Sequence, residues 1–366
     1  ARLPRREAIA LGIGLNGRGA MQVILGSAGL TAGLLSQSAY TIVILMSIVS
    51  SVIVPPLLRR SLHRWEGTEE EQRRLREERE LNSNVIVRGQ RLLLPSRGSR
   101  NSFTAARILD LAWPPSSEVT LLSIGSNGNG KGPDLSVARE MLANRETAEQ
   151  HVDDAEAVDA ILAEANLGYG VIAVGADDRR TTGRLLSPVI EDLANRSPIP
   201  LLIVKRGSAV EIDDDRPVLR PRRLLVPVTA NAPSRAGQEV AHQISRNTGA
   251  DVTLVHVGTR PESHADTAED VLDHAHNTSR DQSVEPGTVL LRGQSAGEAI
   301  VDYAGESDID LIVVGATVRR VAGRPFLGHT VEHLLEHATD ATVVVVALPD
   351  AAQASGVEEH VDRSEV

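Results

Sequence analysis

Hydrophobic positions are arranged in two ways along this chain. Over the first sixty residues they form long runs, whereas beyond about residue 90 they come in short bursts set between polar, helix-like stretches. Tyr40 to Leu58 is 19 residues without a charge, close to the ~20 needed to cross a bilayer core. It ends at Pro55-Pro56-Leu57-Leu58-Arg59-Arg60, and helix-breaking prolines followed by arginines suit a span leaving the membrane on its cytoplasmic side. Ala8 to Leu35 is also apolar, interrupted by Asn16-Gly17-Arg18-Gly19, and glycines at 12, 14, 17, 19, 26 and 29 line it, which permits close helix packing. The pattern predicts two membrane helices. The loop between them, Thr31 to Ala39, is uncharged and both outer ends are arginine-rich, placing both ends in the cytoplasm.

The short bursts predict strands at Arg91–Leu94, Val119–Ile124, Val171–Val174 and Leu201–Val204, with helices near Phe103–Ala112, Leu135–Ala148, Glu156–Asn166 and Pro188–Asn195. A second run repeats the plan. Its strands are Leu224–Val228, Val252–Val257, Thr288–Leu291, Leu311–Val314 and Thr342–Val346, and its helices Ser234–Asn247, Thr267–Arg280, Gly297–Tyr303 and Thr330–His337. Alternating strands and helices predict parallel sheets covered on both faces. Arg91-Leu92-Leu93-Leu94-Pro95 answers Arg223-Leu224-Leu225-Val226-Pro227, and Val171 to Ala176 answers Leu311 to Ala316, so the unit is duplicated. The first copy lacks a clear third strand.

Composition sharpens this division. Residues 1–65 carry seven arginines and one acidic residue, near +6, which leaves about −17 for the remainder of a chain whose net charge is −11. A basic apolar head on an acidic body argues against nucleic acid and for a lipid bilayer as partner. Cysteine is absent, which excludes disulfides, thiolate metal sites and thiol nucleophiles. The chain opens on Ala1 inside an apolar pattern, and we expect a fragment or a processed product. The expected divisions are membrane helices over 1–60, a charged helical connector over 61–83, α/β domains over 84–206 and 222–348, a polar linker over 207–221, and an acidic disordered tail over 349–366.

Arg18 stands inside the first apolar run. A charge at membrane depth is a functional hypothesis by default, and the flanking Gly17 and Gly19 would allow a locally unwound helix; the bland reading is that Arg18 marks the membrane interface. Glu7 to Met21, with Asn16-Gly17-Arg18-Gly19 at its centre, resembles the penultimate helix of monovalent cation:proton antiporters of the sodium/proton exchanger family, and Tyr40 to Leu58 resembles their last helix. The resemblance implies that Asn16 and Arg18 are transport-associated, with Arg18 helping to organise acidic ion-binding residues on earlier helices; residues 1–60 contain no aspartate. It also implies a multi-pass protein of the cell (inner) membrane with its tail in the cytoplasm, a monovalent cation (Na+ or K+) and a proton as substrates, and a homodimer.

Each α/β copy is similar to a universal stress protein domain, implying a Rossmann-like parallel five-stranded sheet. Ligands of such sheets sit at the carboxyl ends of the strands. In the second copy those edges are Pro227-Val228-Thr229, Val257, and Gly315 onward, with a turn into a helix at Gly328-His329-Thr330 whose free N–H groups suit a phosphate. The family's pattern places Gly, two residues, Gly, nine residues, Gly, then Ser or Thr. Here Val318 replaces the second glycine, Thr330 comes one place late, and Thr229 stands where nucleotide-binding members usually carry aspartate. The resemblance implies ATP or another adenine nucleotide as ligand, with no cofactor required. Arg319, Arg320 and Arg324 are nearby cations. In the first copy the matching places hold Gly175, Asp178 and Ser187-Pro188, which reads as structural.

Other motifs carry less. Gly125 to Lys131 resembles a phosphate loop but runs into Gly132-Pro133 in place of the hydroxyl that would hold magnesium. His329, His333 and His337 share a helix face but alternate with Glu332 and Glu336, which fits a solvated polar face better than a metal site. No Ser–His–Asp grouping or carboxylate pair has a telling spacing, so we expect no enzyme. The expected function is the C-terminal part of an antiporter with a regulatory tail. The alternative is a membrane-anchored nucleotide-binding stress protein that does not transport.

Overall fold

The computed structural model describes residues 20–62, 84, 86–88, 91–124, 133–152, 156–176, 185–213, 216–258, 268–321 and 324–349. The chain divides into two compact units, residues 1–78 and 79–366.

The first unit is a helical hairpin of α1 (Ala20–Thr31) and α2 (Gln37–Leu62). The glycines let the helices approach. A Cβ on Gly26 would lie 3.5 Å from the Tyr40 ring and from Val43, and one on Gly29 only 2.9 Å from Leu35. Of the two expected spans, only α2 is long and apolar enough to cross a membrane among the described residues, over Gln37–Val54, of which 6% is buried. Ile42, Leu45, Met46 and Val52 point outward with more than half of their surface bare. Pro55 and Pro56 do not end this helix, which runs on to Leu62; other groups in a membrane helix can compensate the donor a proline removes. Asn16 and Arg18 lie outside the described residues.

The second unit opens with β1 (Arg91–Pro95), α3 (Arg100–Ala112), β2 (Val119–Ile124), α4 (Ser136–Met141), β3 (Thr147–Val152), α5 (Ala157–Ala165), β4 (Tyr169–Gly175), α6 (Pro188–Arg196) and β5 (Leu201–Lys205). A two-stranded ribbon, β6 (Ile212–Asp213) with β7 (Arg216–Pro217), interrupts the connecting stretch. The plan then repeats as β8 (Arg223–Pro227), α7 (Ala232–Thr248), β9 (Asp251–Gly258), α8 (Ala268–Asp281), β10 (Gly287–Arg292), α9 (Ala296–Glu306) and β11 (Leu311–Thr317). A hairpin of β12 (Arg319–Val321) and β13 (Arg324–Phe326) follows, then α10 (His329–His337) and β14 (Thr342–Leu348). We call β1–β5 with their helices the first lobe, and the repeat the second.

The expected pair of five-stranded sheets is corrected to one sheet of ten strands, ordered β10-β9-β8-β11-β14-β5-β4-β1-β2-β3. Each lobe contributes five parallel strands in the same relative order, and the last strands, β5 and β14, join antiparallel with Val204 opposite Val344 and Ile203 opposite Val345. Both are buried valine, leucine and isoleucine runs, so joining them hides two edges that would otherwise present unpaired backbone groups. The junction is tight: a Cβ on Gly207 would come within 2.1 Å of the Asp340 carbonyl oxygen, and Gly207 N–H donates to Thr342 Oγ1 at 3.1 Å.

The sheet separates two cores. One lies under α3, α4, α7 and α8, and the other under α5, α6, α9 and α10. Each fully buried Leu, Val or Ile there contributes roughly 1.5–3 kcal/mol, which is why the apolar bursts became strands. Two expectations in the first lobe are corrected together. The helix expected over 135–148 is only Ser136–Met141, and the missing third strand is β3. Its sequence, Thr-Ala-Glu-Gln-His-Val, is largely exposed at the sheet's outer edge and carries no apolar alternation.

Candidate functional site

The carboxyl ends of the strands meet helix N-termini in both lobes. In the second, α7 starts on its own cap: Asn231 Oδ1 accepts from Ser234 N–H at 2.9 Å, and Thr229 N–H donates to Ser234 Oγ at 2.9 Å. Val228 is buried, and its carbonyl accepts from His256 Nδ1 at 2.8 Å. This fixes the bearing of the β8 end against β9. Gly315 lies in β11 where α7 presses on it, since a Cβ there would sit 1.7 Å from the Pro233 carbonyl oxygen. That glycine is required for helix–strand packing whether or not a ligand binds. Gly175 does the same in the first lobe, where a Cβ would meet the Asn101–Ser102 peptide at 2.3 Å.

Gly328 differs from these. It holds φ +101° with open space around it and leads into α10 without a side-chain cap. Free N–H groups and the positive dipole end therefore face outward there, an arrangement suited to an anion. Phe326 packs edge-on against the exposed His329 ring with 4.9 Å between centroids.

The structure gathers Gly315, Ala316, Thr317, Arg319, Gly328 and the Asn231–Pro233 start of α7 around a cleft of about 200 Å³. Of the expected residues, Gly315 and Gly328 stand in its wall, while Pro227, Val228, Thr229, Val257, Val318, His329 and Thr330 do not. Val318 is buried and its N–H donates to the Leu348 carbonyl at 3.1 Å. Asn231 and Pro233 escaped the sequence reading, although an Asx cap followed by proline marks a helix start.

A larger cleft of about 370 Å³ opens at the matching place in the first lobe. Leu122, Ile124, Ile161 and Val174 form an apolar wall, and Ser96, Ser99, Ser102 and Arg97 form the rim. The serines satisfy one another: Ser96 Oγ donates to Ser102 Oγ at 2.9 Å, and Ser99 and Ser102 make a reciprocal cap for α3. Ser187 caps Ile190 N–H at the start of α6, and Pro188 has no N–H to give. This rim offers an anion little beyond the exposed Arg97.

His242 and Tyr169, two groups with displaced pKa values, line neither cleft. Burial pushes His242 down to about 4, and burial raises the Tyr169 hydroxyl, which donates to Glu164 and lies 2.9 Å from the Thr120 hydroxyl. Among the described residues no group of three His, Asp or Glu side chains could hold a metal; His333 and His337 simply stack at 4.1 Å.

Residues 1–60 match the family described as sodium/hydrogen exchanger, transmembrane, and residues 221–346 match the universal stress protein family. The chain joins an antiporter-family segment to universal stress protein domains. A universal stress protein from Archaeoglobus fulgidus is similar in fold, at 20% identity and TM-score 0.51, over 70% of this chain and 98% of that one. A protein of unknown function from Pseudomonas aeruginosa is similar at 15% identity and TM-score 0.47, over 73% of this chain and 95% of that one. A universal stress protein in complex with cAMP is similar at 19% identity and TM-score 0.28, over 35% of this chain and 98% of that one. No curated protein matches the chain. The repeated strand order extends the stress-protein fold to the first lobe, which the family match does not reach.

Proposed function

We propose that the chain is the carboxy-terminal part of a secondary active monovalent cation:proton antiporter whose stress-protein unit is a non-enzymatic regulatory tail. The observation that carries this reading is the bare apolar helix α2, inside the exchanger-matched segment and continuous with the stress-protein unit on one chain. In this reading the protein is a multi-pass, homodimeric protein of the cell membrane, the tail is cytoplasmic, and Na+ or K+ exchanges for a proton. Asn16 and Arg18 serve the transport region, while the acidic ion-binding residues belong to other helices.

The ligand is an adenine nucleotide bound by the second lobe. Its phosphates would face the uncapped start of α10, with Arg319 in the wall as counter-charge. The test is fluorescence dequenching in everted membrane vesicles carrying the exchanger that contains this chain, with and without residues 84–366. Cation-dependent proton exchange that persists without the tail but no longer responds to ATP or AMP is the expected result. An absence of exchange from the intact protein would leave a membrane-anchored stress protein. Exchange indifferent to both tail and nucleotide would remove the regulatory role.

A further inference from the structure

The chain that comes from the membrane helix does not pass directly into β1 of the first lobe. Before β1, Asn84 and Ile86 bond to the second lobe. Ile86 and Val87 are 1% and 0% exposed and belong to a core shared by both lobes, with Leu92 and Trp113 of the first and Val240 and Ile244 of α7 and Leu272 and Ala275 of α8 of the second. Ile86 N–H donates to the Glu239 carboxylate of α7 at 3.0 Å, 153 residues away in sequence. Glu239 is itself 1% exposed, and a buried carboxylate requires such donors.

Asn84 anchors the other end of the segment. Its Nδ2 donates to the Val87 carbonyl at 3.2 Å, and its Oδ1 accepts from Gln282 Nε2 at 3.1 Å. Gln282 Oε1 accepts from His242 Nδ1 at 2.7 Å, and His242 Nε2 lies 2.9 Å from Ser279 Oγ, which is also 3.0 Å from the Ala275 carbonyl. Donors and acceptors thus run in one direction from His242 of α7 through Gln282 to Asn84 and the Val87 carbonyl, the arrangement in which hydrogen bonds reinforce one another. Asn84, His242, Ser279 and Gln282 are all buried. Taking the segment away would leave a hole and several unpaired polar groups, so it is a built part of the second lobe.

Helix α7 spans from this grip to the second cleft. Asn231 and Pro233 at its start line the cleft, while Glu239 and His242 hold the segment roughly 10–15 Å further along the same axis. The helix has little freedom to move alone, because Gly315 is pressed by Pro233 and a Cβ on Gly237 would meet Gly315 N at 2.9 Å. We propose that Asn84, Ile86 and Val87 form a latch by which α7 of the second lobe holds the chain arriving from the membrane helix, and that occupancy of the second cleft tightens this latch. The coupling half of the proposal rests on the ligand reading above.

Hydrogen–deuterium exchange on the full chain in nanodiscs tests it, with the Ile86 amide as reporter and calorimetry registering ATP binding separately. Asn84→Ala is expected to speed exchange at Ile86 at least tenfold while the amides of β1 keep their rate. Glu239→Gln, which retains an acceptor oxygen, is expected to change it less than Glu239→Ala. An Ile86 amide that exchanges in step with β1 and ignores both positions overturns the latch. Bound ATP is expected to slow Ile86 severalfold, and binding without that change overturns the coupling. If no ATP binds, the ligand reading has failed, and Asn231→Ala at the cleft end of α7 decides: an altered rate at Ile86 supports the coupling, and an unaltered rate overturns it.

Discussion

The two lobes share a strand order and differ in where they keep open space. The second, whose sequence matches the stress-protein family, has the smaller cleft, and the first, which that match does not reach, has the larger. Glycines of the pattern therefore report two things. Gly175 and Gly315 occupy the same place in both lobes because a helix start leans on each strand end. Gly328 has no such neighbour and is held by its positive φ, whereas Ser187 in the matching place has φ −67°. One glycine belongs to the fold, and the other belongs to the kind of helix entry a ligand meets.

The largest effect should come from the shared glycines. Gly315→Ala and Gly175→Ala each force a Cβ into backbone that cannot yield as a side-chain end would, and each should cost about 3 kcal/mol. Denaturant unfolding of the full chain reads this. A tolerated Gly175→Ala beside a crippling Gly315→Ala would break the equivalence of the lobes at that position. Next is Gly207→Ala at the β5–β14 junction, which should cost between about 2 and 3 kcal/mol. Its signature would be faster hydrogen exchange in Val204 and Val344 than in β1 or β8. Uniform loss across the sheet would mean that the lobes are not separable cooperative units.

How far the chain could be read from its sequence follows from where each element is buried. β1, β2, β4, β5, β8, β11 and β14 are covered on both faces, so each announces itself as an apolar run. β3 lies at an edge with Glu149, Gln150 and His151 exposed, and nothing local distinguishes it from a loop. The β12–β13 hairpin is equally silent. The strand-end rule pointed to the second cleft through Gly315 and Gly328, while the first lobe, read as structural, holds the larger cleft. The volumes depend on which side chains fill the space between strands and helices, and that is tertiary information. The same holds for the β5–β14 pairing and for the burial of Asn84, Ile86 and Val87, whose partners lie some 150 residues away.

A pH difference between the lobes should come next in size. His242 is buried in the second lobe with its pKa near 4, chiefly through burial, with Arg246 of its own helix lowering it and Gln282 opposing. Glu239 and Arg235 also belong to α7. Facing them are Ser279 and Gln282 from the α8 end, and Arg88 beyond Asn84, whose carbonyl its Nε bonds at 2.5 Å. The unfolded chain would titrate this histidine near 6.5. Between those values the unfolded state binds a proton that the folded state refuses, so the contribution is complete above pH ~6.5 and is lost as pH falls toward ~4. Going from pH 7 to 5 should cost about 2 kcal/mol. His242→Leu should flatten that difference whatever it does to stability at pH 7. An unchanged pH dependence would show that another group sets it.

The smallest expected effect bears most directly on the comparison, because it asks which cleft takes the ligand. Arg319 stands in the second cleft beside an uncapped helix start, while Arg97 stands on the first beside a helix whose N–H groups are capped by Ser187 or removed by Pro188. A charge-assisted contact to phosphate, reversed in sign, should change affinity at least tenfold, about 1.4 kcal/mol. Arg319→Glu should therefore weaken ATP binding by that factor in calorimetry, and Arg97→Glu by less than twofold. The reverse outcome would move the nucleotide to the larger, more apolar cleft, where shape and base contacts rather than a helix dipole would have to hold it. The family's glycine pattern would then mark a helix entry in this chain without marking its ligand.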